Sequence, residues 1–77
     1  MNKSDTTIGF YRDKAGFTQK QLADMLGIPR TTMSFYENKR SYPDIKIAEK
    51  IAEIINQPIG KLFSEEELEV IKTKWPN

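Results

Sequence analysis

The stretch from Thr18 to Arg40 reads as two short helices joined by a tight turn at Gly27-Ile28-Pro29, the second with one face left bare. Thr18 precedes Gln21 by three residues, the spacing of a capping box, in which the hydroxyl accepts from a first-turn amide and the Gln reaches back to the cap. Leu22, Ala23 and Leu26 fall on one stripe of a helical period, so the first helix buries one side over about two turns. Gly27 stands where a left-handed residue ends a helix, and Ile28 is expected to point inward. Pro29, with a fixed φ and no N–H to satisfy, suits the opening of the second helix.

Laid out at about 100° per residue, Arg30, Thr31, Ser34, Phe35 and Asn38 of that second helix share an arc of roughly 140°. Met33, Tyr36 and Glu37 lie opposite and are expected to face the core. A helix that needed only solubility would turn long charged side chains outward. This one turns out an Arg, hydroxyls, an amide and a ring, and such groups suit base edges: Arg can fork onto guanine, Asn and Thr can bond bases or phosphates, and an apolar group can meet a thymine methyl. The bare face therefore predicts a nucleic-acid surface.

Composition narrows the other classes. Seventy-seven residues make one domain, too small for a catalytic cleft plus a second lobe. With no Cys and no His there is no disulfide frame, and neither a structural zinc site nor a thiol or imidazole nucleophile is expected. No cofactor, metal or small-molecule site is expected, and the sequence does not read as an enzyme. No apolar run approaches the roughly 20 residues of a membrane span, and MNKSDTT lacks the apolar centre of a signal peptide. The cytoplasm is the expected compartment, with no membrane partner. The net charge of +1 is small, but it is unevenly spread. Residues 1–63 hold ten Lys or Arg against seven Asp or Glu, whereas residues 64–77 hold two against four. Positive charge thus gathers on the side of the two short helices, and its modest size points to a dimer for tight binding at cellular salt.

The other segments read as a platform. Thr6 or Thr7 opens a helix to about Lys14 with Ile8, Tyr11 and Ala15 inward, and Gly16-Phe17 turns the chain into Thr18. Pro43-Asp44 starts a longer helix whose core face is Ile45, Ala48, Ile51, Ala52 and Ile55, ended by Asn56. Pro58 begins a short one in which Ile59, Leu62 and Phe63 close the core. Beyond it, Ser64 and Glu67 repeat the capping-box spacing, Glu65 to Glu67 suit a helix start and Lys72 and Lys74 its end. That predicts a helix with Leu68, Ile71 and Trp75 on one face, which either folds back on its own core or pairs with a second chain. A strand is the alternative, because EVIKTKW is rich in β-branched residues. Phe10 and Tyr42, placed away from the core by the helical layout, are further candidates for a dimer contact.

Three blocks in order, YRDKAGFTQKQLADMLGIP, MSFYEN and the segment from Pro43 to Phe63 ending in IGKLF, resemble the Cro and lambdoid-repressor-like helix-turn-helix proteins, the xenobiotic-response-element family, over Ile8 to Phe63. The resemblance implies an all-α fold: a five-helix lambda-repressor-like DNA-binding domain over residues 1–63, with residues 64–77 as a C-terminal extension and candidate dimerisation element. It further implies that Thr18 and Gln19 hold the phosphate backbone, that Arg30, Thr31 and Phe35 touch base edges, and that Thr32 and Asn38 touch phosphate or close the helix. Pro29, Ser34, Lys39 and Arg40 complete the expected DNA surface. Arg12 and Glu37 match a pair that in several members forms an ion pair beneath that surface. The chain departs from the family in having Pro29 for a Ser or Thr cap and Phe35 for a long polar residue. It also has Lys39 where Gly is usual, so that either Lys39 or Asn38 must take a positive φ there.

The expected function is that of a sequence-specific transcriptional regulator, a homodimer on a palindromic operator, with repression as the default outcome and double-stranded DNA as partner. An antitoxin controlling its own promoter, or a protein-interaction module on the same fold, are the competing classes. A small enzyme built on the acidic cluster at Glu65 to Glu69 carries almost no weight, because carboxylates at a helix start ordinarily form a solvated cap.

Overall fold

In the computed structural model, residues 7–74 are described, and they form helices α1 (Thr7–Lys14), α2 (Gln19–Leu26), α3 (Arg30–Glu37), α4 (Ile45–Ile54), α5 (Ile59–Leu62) and α6 (Glu65–Lys74), with no strand among them. The capping box opening α2 is complete: Thr18 Oγ1 accepts from the Gln21 amide and Gln21 Oε1 accepts from the Thr18 amide, at 3.0 and 2.8 Å. Asp44 caps α4 by accepting from the Ile47 amide at 2.8 Å. Pro29 and Pro58 stand one residue outside α3 and α5, in extended conformation, so they lead into these helices and do not form their first turns.

Four helices end in the same way, with a left-handed residue and a following amide that reaches back five residues. Gly16 does this after α1 and Gly27 after α2, with Phe17 bonded to the Arg12 carbonyl and Ile28 to that of Ala23. Asn56 does it after α4, with Gln57 bonded to Ala52. After α3 the left-handed residue is Lys39, at φ 60°, with Arg40 bonded to the Phe35 carbonyl at 2.9 Å. Asn38 stays at φ −92° and closes the helix through its side chain, which donates to the Ser34 carbonyl at 3.0 Å.

Ile8, Leu22, Met33, Ile51, Leu62, Phe63 and Ile71 are fully buried and form one core, into which every helix places at least one residue. Ala15 departs from expectation: it is exposed, because the chain has already begun to turn at that point and the inward positions of α1 are taken by Ile8, Gly9 and Arg12. The strand alternative for the extension is likewise overturned. Ser64 and Glu67 form a full capping box, at 2.8 and 3.1 Å, and α6 packs on α4. Ile71 is buried and Leu68 half-buried against this subunit's own core, while Trp75 lies outside the described residues. Tyr42 also packs against the core, whereas Phe10 is 44% exposed, its ring edge-on to Tyr11 and beneath the Lys14 ammonium.

Candidate nucleic-acid interface

Helix α3 is eight residues long, about 12 Å at 1.5 Å per residue, and its diameter with side chains, about 10–12 Å, is what a B-DNA major groove roughly 12 Å wide admits. Its two sides differ sharply. Arg30, Thr31, Phe35 and Asn38 are exposed and Thr32 and Ser34 half-buried, while Met33 and Glu37 are buried beneath them and Tyr36 is half-buried. Phe35 leaves 43% of its surface uncovered. No core contact demands that exposure, so an aromatic there is available to a partner. Burial, reinforced by the charge of Asp44, raises the Tyr36 phenol above its ordinary value, so Tyr36 remains a neutral group on the inner side.

Beneath the exposed face runs a chain of charged and amide groups. Arg12 Nε donates to Glu37 Oε2 at 2.6 Å and Nη2 to Oε1 at 3.2 Å, with both residues at most 5% exposed. The remaining guanidinium edge donates through Nη1 to the Phe17 carbonyl at 2.8 Å and to Asp13 at 3.3 Å. A buried ion pair is tolerable only when its spare donors and acceptors are also met, and among the described residues no buried side-chain N or O lacks a partner. The pair ties α1, the turn before α2 and the end of α3 into one rigid unit.

Glu37 Oε1 also accepts from Gln19 Nε2 at 3.2 Å, and Gln19 Oε1 accepts from Arg30 Nη1 at 3.1 Å. The order is forced by chemistry. A carboxylate can only accept, so the Gln19 amide nitrogen must face Glu37, which turns its oxygen toward the Arg30 guanidinium. The start of α2 and the start of α3 are thereby locked together at the surface. The capping box uses the amides of Thr18 and Gln21, and those of Gln19 and Lys20 point out of the α2 N-terminus, where the helix dipole favours an anion such as phosphate.

The sequence-predicted residues thus fall into two groups. Thr18, Gln19, Pro29, Arg30, Thr31, Thr32, Ser34, Phe35, Asn38 and Arg40 lie on or at the rim of the α2–α3 surface, all exposed or half-buried. Lys39 does not join them. Its ammonium turns toward α6, donating to the Leu62 carbonyl at 3.3 Å, pairing with Glu67 at 3.3 Å and lying 4.7 Å from the centre of the Phe63 ring. Sequence reasoning missed this turn as well as the Gln19 bridge. The one hint in the sequence was a Lys at a position that favours Gly.

The helix-turn-helix family model matches residues 8–62. Two uncharacterised helix-turn-helix-type transcriptional regulators of Archaeoglobus fulgidus are each 40% identical to this chain, one over 58 residues covering 75% of it and 83% of the relative, the other over 65 residues covering 82% and 92%. A putative regulatory protein of the same type from Pyrococcus furiosus is 34% identical over 50 residues, 65% of this chain but 16% of that longer protein.

Proposed function

From the premise that the chain belongs to the helix-turn-helix family of Cro/C1-type, DNA-binding transcriptional regulators, we propose that it binds a palindromic operator as a homodimer and represses by occupancy. The family is a non-enzymatic class. The observation that carries the reading is the two-sidedness of α3: Arg30, Thr31, Phe35 and Asn38 exposed outside, a buried ion pair and Met33 inside. Arg30, Thr31 and Phe35 read bases, Gln19 and the α2 N-terminus grip phosphate, and Arg40 flanks the backbone. A helix this short reaches only a few base pairs, so two copies supply what one cannot. Their half-sites are expected about 34 Å apart, one helical turn. The extension from residue 64 onward contributes to the contact between copies, with Val70 left 43% exposed on its outer side. The site of action that DNA binding implies is the cytoplasm. No described helix is long and apolar enough to cross a membrane.

Selection of bound duplexes from a random DNA pool is the direct test. Enrichment of an inverted repeat with that spacing is expected. Recovery of lone half-sites would remove the dimer, and no enrichment at all would remove sequence-specific binding.

Gln19→Ala is expected to weaken binding to random duplex about tenfold, the loss of one charge-assisted hydrogen bond to phosphate, and to weaken binding to the best site by more. Because Arg30 Nη1 loses its tether in the same variant, discrimination between the two duplexes should also shrink. Titrations against both, at one salt concentration, check this. Unaltered discrimination would mean that Arg30 holds its geometry unaided.

A further inference from the structure

At three of the four similar helix ends the left-handed position is filled by Gly16, Gly27 or Asn56, residues that adopt it readily; at the fourth, directly after the proposed reading helix, it is filled by Lys39. The side chain shows what is gained. Its ammonium meets Glu67 Oε1 and Oε2 at 3.3 Å and the Leu62 carbonyl at 3.3 Å, and lies over the rings of Phe63 and Tyr42, at 4.7 and 5.9 Å from their centres. Glu67 is the hub on the other side. Besides Lys39 it accepts from the Tyr42 hydroxyl at 3.3 Å and from the Ser64 amide at 2.8 Å, and it is held in place by the capping box that starts α6. The Lys39 side chain is 29% exposed, while its neighbours in sequence, Asn38 and Arg40, are both exposed. A cation whose backbone stands at the rim of the DNA surface is therefore neutralised by a helix that takes no part in that surface.

We propose that Glu67 is a positioning residue that sets DNA affinity by withholding the Lys39 ammonium from the phosphates. The inference rests on the DNA-binding reading above. Without Glu67 the lysine, on a flexible four-carbon stem, swings to the backbone beside Asn38 and Arg40 and adds one phosphate contact. Withholding it keeps nonspecific affinity low in a protein whose readout depends on α3.

The test is the salt dependence of binding to one fixed duplex, measured for the full chain, Glu67→Gln, Lys39→Gly and the double variant. Gln at 67 retains an oxygen for the Ser64 amide, so the α6 cap survives while the charge is lost. Glu67→Gln is expected to steepen the log–log salt slope by about 0.9, equivalent to roughly a threefold larger loss of affinity between 50 and 200 mM salt. Lys39→Gly alone should leave the slope at its original value, and Glu67→Gln in the Lys39→Gly background should do the same. A slope unchanged by Glu67→Gln, or changed equally with Lys39 absent, overturns the proposal. So does a shallower slope for Lys39→Gly, which would place the lysine on phosphate from the start. Failure of the unaltered protein to bind any duplex would instead overturn the DNA-binding reading itself, and is told apart because it appears before any variant is compared.

Discussion

Glu37→Ala is expected to remove a large part of the protein's stability, because position 37 touches solvent with only 2% of its surface. The substitution removes both acceptors of the Arg12 guanidinium edge, at 2.6 and 3.2 Å, and leaves a charge that is itself 5% exposed facing a cavity. Breaking a buried pair from one side costs about 3–5 kcal/mol. A chain of 77 residues has a total stability of roughly 4–12 kcal/mol at the usual 0.05–0.15 kcal/mol per residue. The loss is thus a large fraction of the whole, on the order of 15–30 °C in Tm for a domain of this size. Thermal and urea unfolding followed by circular dichroism check it. The paired replacement Arg12→Met with Glu37→Leu separates stability from function, because a well-packed apolar substitute for a buried ion pair is often neutral or stabilising by about 1–4 kcal/mol. That double variant should fold yet bind DNA less well, since Gln19 Nε2 no longer has the Glu37 oxygen that turns its carbonyl toward Arg30. Normal DNA affinity in it would show that the network serves only folding.

Arg30→Ala is expected to carry the largest functional effect. Arg30 is the first residue of α3, exposed, with Nη1 engaged by Gln19 at 3.1 Å. A guanidinium has five N–H donors in a planar fork, so this one contact leaves enough for a bidentate bond to guanine O6 and N7, worth about 1–3 kcal/mol of discrimination. The best site should therefore lose roughly 5- to 150-fold in affinity and its preference at one base pair should relax, while random duplex loses far less. Arg30→Lys should not restore the preference, because an ammonium cannot make the paired, planar contact. Binding profiles over all single-base variants of the selected site check both statements. A profile unchanged in Arg30→Ala would take this residue out of the readout and leave Thr31 and Phe35 to account for specificity.

The helices were legible because their signals are local. Thr18 with Gln21 and Ser64 with Glu67 announce two starts, Gly27 and Asn56 two ends, and each operates within a turn of backbone through hydrogen bonds to neighbouring amides. The outward face of α3 was legible for a similar reason: its angular arrangement follows from helical period alone. Local signals also failed where two of them competed. Ala15 fits the apolar stripe of α1, yet the helix ends at Lys14 and the turn through Gly16, at φ 89°, carries Ala15 into solvent. In the extension, β-branched composition favoured a strand and the capping box a helix. The helix prevails because it buries Ile71 completely against α4 without needing a partner strand.

Interactions that span at most about a turn were enough to read the five helices up to Leu62 and the exposed side of α3, whereas the choice between helix and strand for residues 65–74 waited on packing against α4. The destinations of the long polar side chains were settled by long-range contacts alone. Gln19 meets Glu37 across 18 positions and Lys39 meets Glu67 across 28. Each of these side chains has several rotatable bonds and more than one charged or polar group within reach, so its choice is fixed only when folding brings one acceptor close and desolvates the rest. Backbone periodicity carries no information about that choice. It is made by distance and burial, and these exist only once the chain has folded.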